Sequence, residues 1–276
     1  MIKNIVVNLT IGAERDAVTN YAVSLARIFK AHLVGIAFVY DPKGSANLIV
    51  GIPTELIDAQ RRANKRLATE AIARFEELAK QAGVKVESQM IDADPGNVGS
   101  TFGQLARNFD LCVVRQAEPN KPVQEVSIIE GAVFESGRPV IVVPYVQRQD
   151  VSFDRVLIAW DGSRTAARAV GDAMPMLEVA KTIQILTVGA GPIQNTELPG
   201  IDIGKHLSRH GLNVEVKRIS TDGINVPEAI LSHAADIFAD FMVMGGYGHS
   251  RLREYVLGGV TRSLLTSMTL PTLMSN

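Results

Sequence analysis

The chain has 276 residues, and its 28 lysines and arginines against 29 aspartates and glutamates leave a formal net charge of −1 at pH 7. A nearly neutral chain has no overall field that attracts nucleic acid or an anionic membrane, so we expect neither partner and assign any binding to a local site. The length suits two domains, and the single cysteine excludes an intrachain disulfide. Without a signal segment or a long apolar run, the sequence predicts a cytoplasmic protein.

The first half alternates short apolar runs with helical stretches. Apolar residues recur at helical spacing from Pro53 to Ala82 and Gly83 follows them, which predicts a long helix. Runs that are apolar throughout are typical of a parallel sheet covered by helices on both faces. The predicted strands are Ile5–Leu9, His32–Tyr40, Val84–Ile91, Leu111–Val114 and Val140–Val143.

The same order begins again after Asp150. Residues 109–114 correspond to 239–244, and residues 138–140 correspond to 270–272, in the same order and spacing. The sequence therefore predicts an α/β fold of two tandem copies of an open, doubly wound five-stranded parallel sheet domain, at 1–146 and 153–276, joined by a polar linker. The strands predicted in the second copy are Val156–Trp160, Thr182–Val188, Asn213–Ile219, Phe241–Met244 and Thr272–Met274.

A glycine-rich segment follows the fourth strand of the second copy. Gly245, Gly246 and Gly248 come directly after the strand, and Gly258–Gly259 precede a helix predicted from about Thr261. Glycines let backbone N–H groups approach phosphate oxygens, and a helix N-terminus adds the positive end of its dipole. Ligands of open α/β sheets also bind at the carboxyl ends of strands. The position favours phosphate binding over the alternative that these glycines only form tight turns.

The spacing Gly245-x2-Gly248-x9-Gly258 resembles the nucleotide motif of the universal stress protein family, as does the strand ending in Asp161-Gly162-Ser163. The resemblance implies a Rossmann-like fold of the adenine nucleotide alpha hydrolase type that binds ATP or another adenine nucleotide, with or without Mg. It assigns nucleotide contacts to Asp161, adenine to the backbone near Val188, and ribose and phosphates to the three glycines. The alternative for Asp161 is a turn or helix-cap role, and we expect Asp161 to combine this role with the nucleotide contact.

The second copy departs from the family motif at one position, and the first copy departs further. Gly259 stands where the motif has serine or threonine, and Thr261 is a hydroxyl that could replace the missing donor. In the first copy Thr10 takes the position of Asp161, the segment from Arg115 has no glycines, and Val126–Ser127 align with Gly258–Gly259. We therefore expect a degenerate first site, whose domain pairs with the second as a covalent pseudo-dimer.

These features predict a stress-response regulator or sensor that binds an adenine nucleotide in its second domain and acts on an unidentified protein partner. Homodimerisation is a further expectation. Two alternatives stay open. One is a nucleotide-free interaction protein with vestigial sites, which Gly259 favours. The other is a slow ATPase, in which His249 could act as an acid or base.

No catalytic or metal site is predicted. The glycines are not followed by a Walker lysine, and Gly162-Ser163 lacks the G-x-S-x-G pattern of a serine hydrolase. His206 and His210 lie four residues apart in a predicted helix and could share a metal ion, but no third ligand is evident nearby.

Overall fold

The computed structural model describes residues 1–13, 16–40, 54–118, 124–189, 201–221, 223–246 and 259–276. The chain divides into two compact units, Met1–Val151 and Ser152–Asn276. This division lies in the polar segment that the sequence suggests as a linker. No helix among the described residues is long and apolar enough to cross a membrane.

The first unit is a parallel sheet with a helix between successive strands. Its strand order is β3-β2-β1-β4-β5, and every neighbouring pair is parallel. The elements are β1 (Asn4–Asn8), α1 (Ala17–Phe29), β2 (His32–Tyr40), α2 (Thr54–Gln81), β3 (Val86–Ala93), α3 (Val98–Ala106), β4 (Leu111–Arg115), α4 (Gln124–Glu135) and β5 (Val140–Val143).

The second unit repeats this topology with the order β8-β7-β6-β9-β10, again with parallel neighbours. The predicted fold class is therefore confirmed. The elements are β6 (Arg155–Ala159), α5 (Arg164–Leu177), β7 (Thr182–Gly189), α6 (Ile201–Arg209), β8 (Val214–Ser220), α7 (Val226–Asp236), β9 (Phe241–Gly245), α8 (Gly259–Ser267) and β10 (Thr272–Ser275).

The burial of the strands follows their composition. All four residues of β5 are buried, and so are the first four residues of β4 and of β9, because helices cover both faces of these strands. The outermost strands β3 and β8 instead alternate partly buried and exposed positions over most of their length. Apolar burial of the central strands is the main stabilising contribution in each unit.

In each unit the chain reverses its winding direction once. It moves from β1 outward to β3 and then returns to β4 on the other side of β1; in the second unit it moves from β6 to β8 and returns to β9. Crevices form outside the carboxyl ends of the strands at such a reversal, and they are the usual ligand position of open α/β sheets. The candidate ligand positions are therefore the carboxyl ends of β1 and β4 in the first unit and of β6 and β9 in the second unit.

Candidate functional site

Three of the predicted site residues lie at one edge of the second sheet. Ala159 of β6 pairs with Met244 of β9 on one side and with Leu186 of β7 on the other. Asp161 follows the end of β6, Gly245 ends β9 and Val188 lies near the end of β7. The structure therefore brings Asp161, Gly245 and Val188 to neighbouring strand ends at the reversal of the strand order.

Asp161 forms the turn that leads into α5. Its Oδ1 accepts a hydrogen bond from the Ser163 backbone N–H at 2.9 Å, and Gly162 between them has a φ of +75°, which favours glycine. The helix cap is Ser163, whose Oγ accepts from the Ala166 N–H at 3.1 Å. The turn role expected for Asp161 is thus present, whereas the cap role belongs to Ser163. The Asp161 side chain remains exposed at the sheet edge.

Gly245 touches the first turn of α5. A Cβ at this position would lie 2.5 Å from the backbone nitrogen of Ala166 and 2.6 Å from Oγ1 of Thr165. Such distances are too short for any side chain, so only glycine lets the end of β9 approach α5 this closely. The next residue, Gly246, donates its N–H to the Ser275 carbonyl at 2.8 Å, which continues the pairing with β10.

The N-terminus of α5 is suited to an anion. The first amide groups of a helix have no intrahelical acceptor, and they carry the positive end of the helix dipole. The first turn of α5 contains no acidic residue, and its first residue, Arg164, is exposed. Sequence reasoning missed Ser163, Arg164 and Thr165 as parts of this site, although Ser163 as a helix cap before an apolar-periodic segment is a recognisable signal.

The second helix N-terminus relevant to the site is that of α8. This helix begins at Gly259, two residues before the predicted start at Thr261. Gly259 is exposed, and a Cβ on it would meet no atom within 4 Å. Thr261 is instead only 5% exposed. The open position of this first turn is therefore residue 259. Gly248, Gly258 and His249 lie outside the described residues.

Val188 and its neighbours form the other side of the crevice. Val188 is partly buried against the core cluster that contains Leu157 and Leu186, and it pairs with Ile219 of β8. The guanidinium of Arg218 covers Gly189 at the strand end, where Nη2 would lie 3.0 Å from a Cβ on the glycine. Arg218 was not predicted as a site residue, because the strand pattern alone does not show where its side chain lies.

The predicted histidine pair does not form part of a larger ligand set. The rings of His206 and His210 contact each other edge to face, with centroids 4.9 Å apart. Within the part of the chain that the structure describes, no three His, Cys, Asp or Glu side chains are grouped so that they could hold a metal ion.

Comparisons with known proteins show what this chain is similar to. The model of the universal stress protein family matches residues 152–276. A universal stress protein of Synechocystis sp. is 25% identical over 227 residues, which cover 79% of this chain and 76% of that protein.

Two solved structures share the fold over nearly the whole chain. The universal stress protein of Archaeoglobus fulgidus DSM 4304 matches with a TM-score of 0.73 at 19% identity, over 99% of this chain and 96% of its own. A Pseudomonas aeruginosa UCBPP-PA14 structure, also named as a universal stress protein, matches with a TM-score of 0.63 at 14% identity, over 99% and 93% of the two chains.

Proposed function

We propose that the second unit, whose residues 152–276 match the model of the universal stress protein family, binds ATP or a related adenine nucleotide and serves as a nucleotide-dependent sensor in a stress response. The observation that carries this proposal is the contact of Gly245 with Thr165 and Ala166 beside the Asp161 turn. It joins a glycine strand end, a carboxylate and a helix N-terminus at the reversal of the strand order, where nucleotides bind in this class of sheet.

The charges at the site suggest how a nucleotide is oriented. A carboxylate accepts hydrogen bonds from sugar hydroxyls but repels phosphate, so the ribose lies beside Asp161 and the phosphates lie away from it. Gly245, Gly248, Gly258 and Gly259 belong to the phosphate side, with Mg neutralising part of the phosphate charge. The adenine is directed toward Val188, at the end of the neighbouring strand.

A sensor needs a difference between its free and bound states. Binding to the folded state alone stabilises a domain by RT ln(1 + [L]/Kd), about 2.7 kcal/mol at a ligand concentration of 100 Kd. In this proposal nucleotide binding stabilises one conformation of the second unit, and a protein partner recognises the surface that the bound state presents.

The chain carries a reporter of this site, because its one tryptophan is Trp160, the residue before Asp161. We expect ATP with Mg to change the Trp160 fluorescence in a saturable manner, and calorimetry to give the same Kd. Asp161→Ala should weaken binding about tenfold or more, since it removes the charged carboxylate that accepts a hydrogen bond from the ligand. Asp172→Ala, which removes an acidic side chain farther along α5, is the matched control and should bind like the wild type.

The same titrations separate the rival functions. Absence of heat and of a fluorescence change with ATP, ADP and AMP would reject the nucleotide proposal in favour of an interaction protein with vestigial sites. Linear release of ADP that disappears in Asp161→Ala would instead establish an ATPase.

A further inference from the structure

The first unit has an arginine at the position of Gly245. Strands β4 and β9 correspond residue for residue, from Leu111–Arg115 to Phe241–Gly245, and each lies beside the first strand of its unit. The Arg115 side chain is only 11% exposed and forms an ion pair with Glu118, whose side chain is 18% exposed. A charged pair therefore lies where the second unit has no side chain at all.

The connection before α1 provides the space for this pair. The last residue of β1 is Asn8 and the cap of α1 is Asp16, whereas in the second unit Ala159 ends β6 and Ser163 already caps α5. The first connection is therefore longer. The unit with the short connection has no room for even a Cβ on Gly245, whereas the unit with the longer one keeps the large Arg115 side chain at the end of β4.

The cap of α1 is an anion, whereas the cap of α5 is a neutral hydroxyl. Asp16 accepts hydrogen bonds from the Thr19 backbone N–H at 3.2 Å and from its hydroxyl at 2.5 Å. The carboxylate thus takes the place at the helix N-terminus that attracts a phosphate. Burial raises the pKa of Asp16, while its hydrogen bonds and the charge of Arg115 act in the opposite direction.

The aligned hydroxyl of the first unit has also left the sheet edge. Helix α4 begins at Gln124, so Ser127 is inside the helix rather than at its N-terminus. A Cβ on Gly99 of α3 would overlap the Ser127 carbonyl and hydroxyl. Ser127 consequently belongs to the crossing of α3 and α4.

We infer that the first unit's site is filled by its own side chains. The Arg115–Glu118 ion pair lies at the strand end and the Asp16 carboxylate lies at the helix N-terminus. Together these side chains take the places of a phosphate ligand and its counter-charge. This unit keeps its fold without a nucleotide. It excludes phosphate, because an incoming anion would meet Asp16 and Glu118 and would have to displace a paired, mostly buried arginine. This inference rests on the proposed function only in treating the end of β4 as the counterpart of a nucleotide site at the end of β9.

The test is amide hydrogen exchange of the full chain with inorganic phosphate and, separately, with ATP. In the wild type, exchange in residues 16–29 should be unchanged by either compound. Glu118→Gln leaves Arg115 without its ion-pair partner beside a helix N-terminus. We expect saturable phosphate to slow exchange in the first turn of α1 by about threefold or more in this variant. The double variant Glu118→Gln/Arg115→Gln and the exposed control Glu87→Gln should show no such effect.

Each outcome decides the inference. Slower exchange in residues 16–29 of the wild type on adding phosphate or ATP would overturn it, as would a folded Glu118→Gln that does not respond to phosphate. If Glu118→Gln does not fold, the wild-type exchange with ATP decides alone. The fluorescence of Trp160 reports the second unit separately. A lack of fluorescence response together with unchanged exchange in residues 16–29 would reject the proposed nucleotide site and retain this inference.

Discussion

Glycines of similar appearance in the sequence meet very different surroundings. A Cβ on Gly245 would collide with the backbone of α5, whereas one on Gly259 or on Gly171 would meet no atom within 4 Å. None of these three glycines has a positive φ. Space alone therefore decides which of them a side chain can replace.

Gly245→Ala should destabilise the second unit and abolish nucleotide binding. The added methyl group would displace the first turn of α5 from the end of β9, and overpacking of this kind costs about 1–3 kcal/mol. Urea unfolding followed by Trp160 fluorescence measures the loss. The control Gly171→Ala, in the middle of α5, should instead raise stability by up to about 1 kcal/mol, because alanine has the higher helix propensity. Equal stability of the two variants would contradict the assigned contact.

Gly259→Ser should strengthen nucleotide binding. The substitution supplies the hydroxyl that the family motif has at this position, the first turn of α8 has room for it, and one additional hydrogen bond is worth about 0.5–1.5 kcal/mol. Calorimetric titration with ATP should show a Kd about threefold to tenfold lower than that of the wild type. An unchanged or higher Kd would mean that residue 259 does not face the phosphates.

Asp16→Asn should change how stability depends on pH. Burial raises the pKa of Asp16 above its ordinary value of 3.8, so the folded state releases this proton at a higher pH than the unfolded chain does. Its contribution to stability is complete below that value and declines as the pH rises through the higher folded-state pKa. Asparagine also caps helices but does not titrate. As the pH rises over the range above about pH 4, the unfolding free energy of the variant should therefore increase relative to that of the wild type. A constant difference across this range would contradict the raised pKa.

Local sequence patterns single out Asp161 and Gly245 as candidate site residues, but they do not reveal the residues that these two contact. The glycine spacing and the Asp-Gly-Ser turn are local patterns, so Asp161 and Gly245 could be selected without a structure. The contact of Gly245 with Thr165 and Ala166 joins segments about 80 residues apart, and the position of Arg218 over Gly189 depends on the pairing of two strands. No local pattern contains this information.

At the scale of elements, the crossing of α3 and α4 distinguishes the first unit. A Cβ added to Gly103 would lie 2.5 Å from the Gly131 carbonyl oxygen, and a Cβ added to Gly131 would overlap the Gly99 backbone. The two helices therefore approach each other through glycines, and α4 cannot shift toward α3.

Gly131→Ala should lower the stability of the first unit by about 1–3 kcal/mol or more, despite the better helix propensity of alanine, because the methyl group would force α3 and α4 apart. Chemical denaturation monitored by amide exchange in residues 98–106 measures the effect. Gln104→Ala, an exposed position of α3, is the control and should remain within about 0.5 kcal/mol of the wild type. Similar effects of the two substitutions would show that the crossing tolerates separation.

Element positions were more predictable than element ends. The strands His32–Tyr40 and Val140–Val143 were predicted with the observed limits, because a short, mainly apolar run bounded by helix or turn signals marks a buried strand. Helix starts were less accurate. Helix α8 begins before Thr261, since its first residues are glycine and valine and carry no capping signal. The helix predicted to contain His206 and His210 is Ile201–Arg209 and ends one residue before His210.

At the scale of the whole molecule, the duplication was visible in the sequence and the divergence of the two copies was visible only in part. Repeated strand order predicts repeated topology, because each apolar run needs the same covering helices. Loss of the glycine loop in the first copy was equally plain. That Arg115 and Glu118 fill the vacated position follows from burial and pairing, which composition does not reveal.

The one cysteine provides a prediction about the intact chain. Cys112 is fully buried in β4, and burial raises the pKa of its thiol to about 12. Because only the thiolate reacts, the native protein at about pH 8 should react with a thiol reagent at least about a hundredfold more slowly than the chain in denaturant. The rate of colour release on mixing with an aromatic disulfide measures this. Rapid reaction of the folded protein would contradict the burial of β4.

The length of the connection before α1 limits how the two kinds of site can interconvert by mutation. Replacing Arg115 by glycine would leave Glu118 without its ion-pair partner and Asp16 without a nearby positive charge. Replacing Gly245 by arginine would drive a side chain into α5. A change from one form to the other by one substitution at a time therefore passes through a destabilised variant. The length of the connection and the charges at the strand end together hold each copy in its present form.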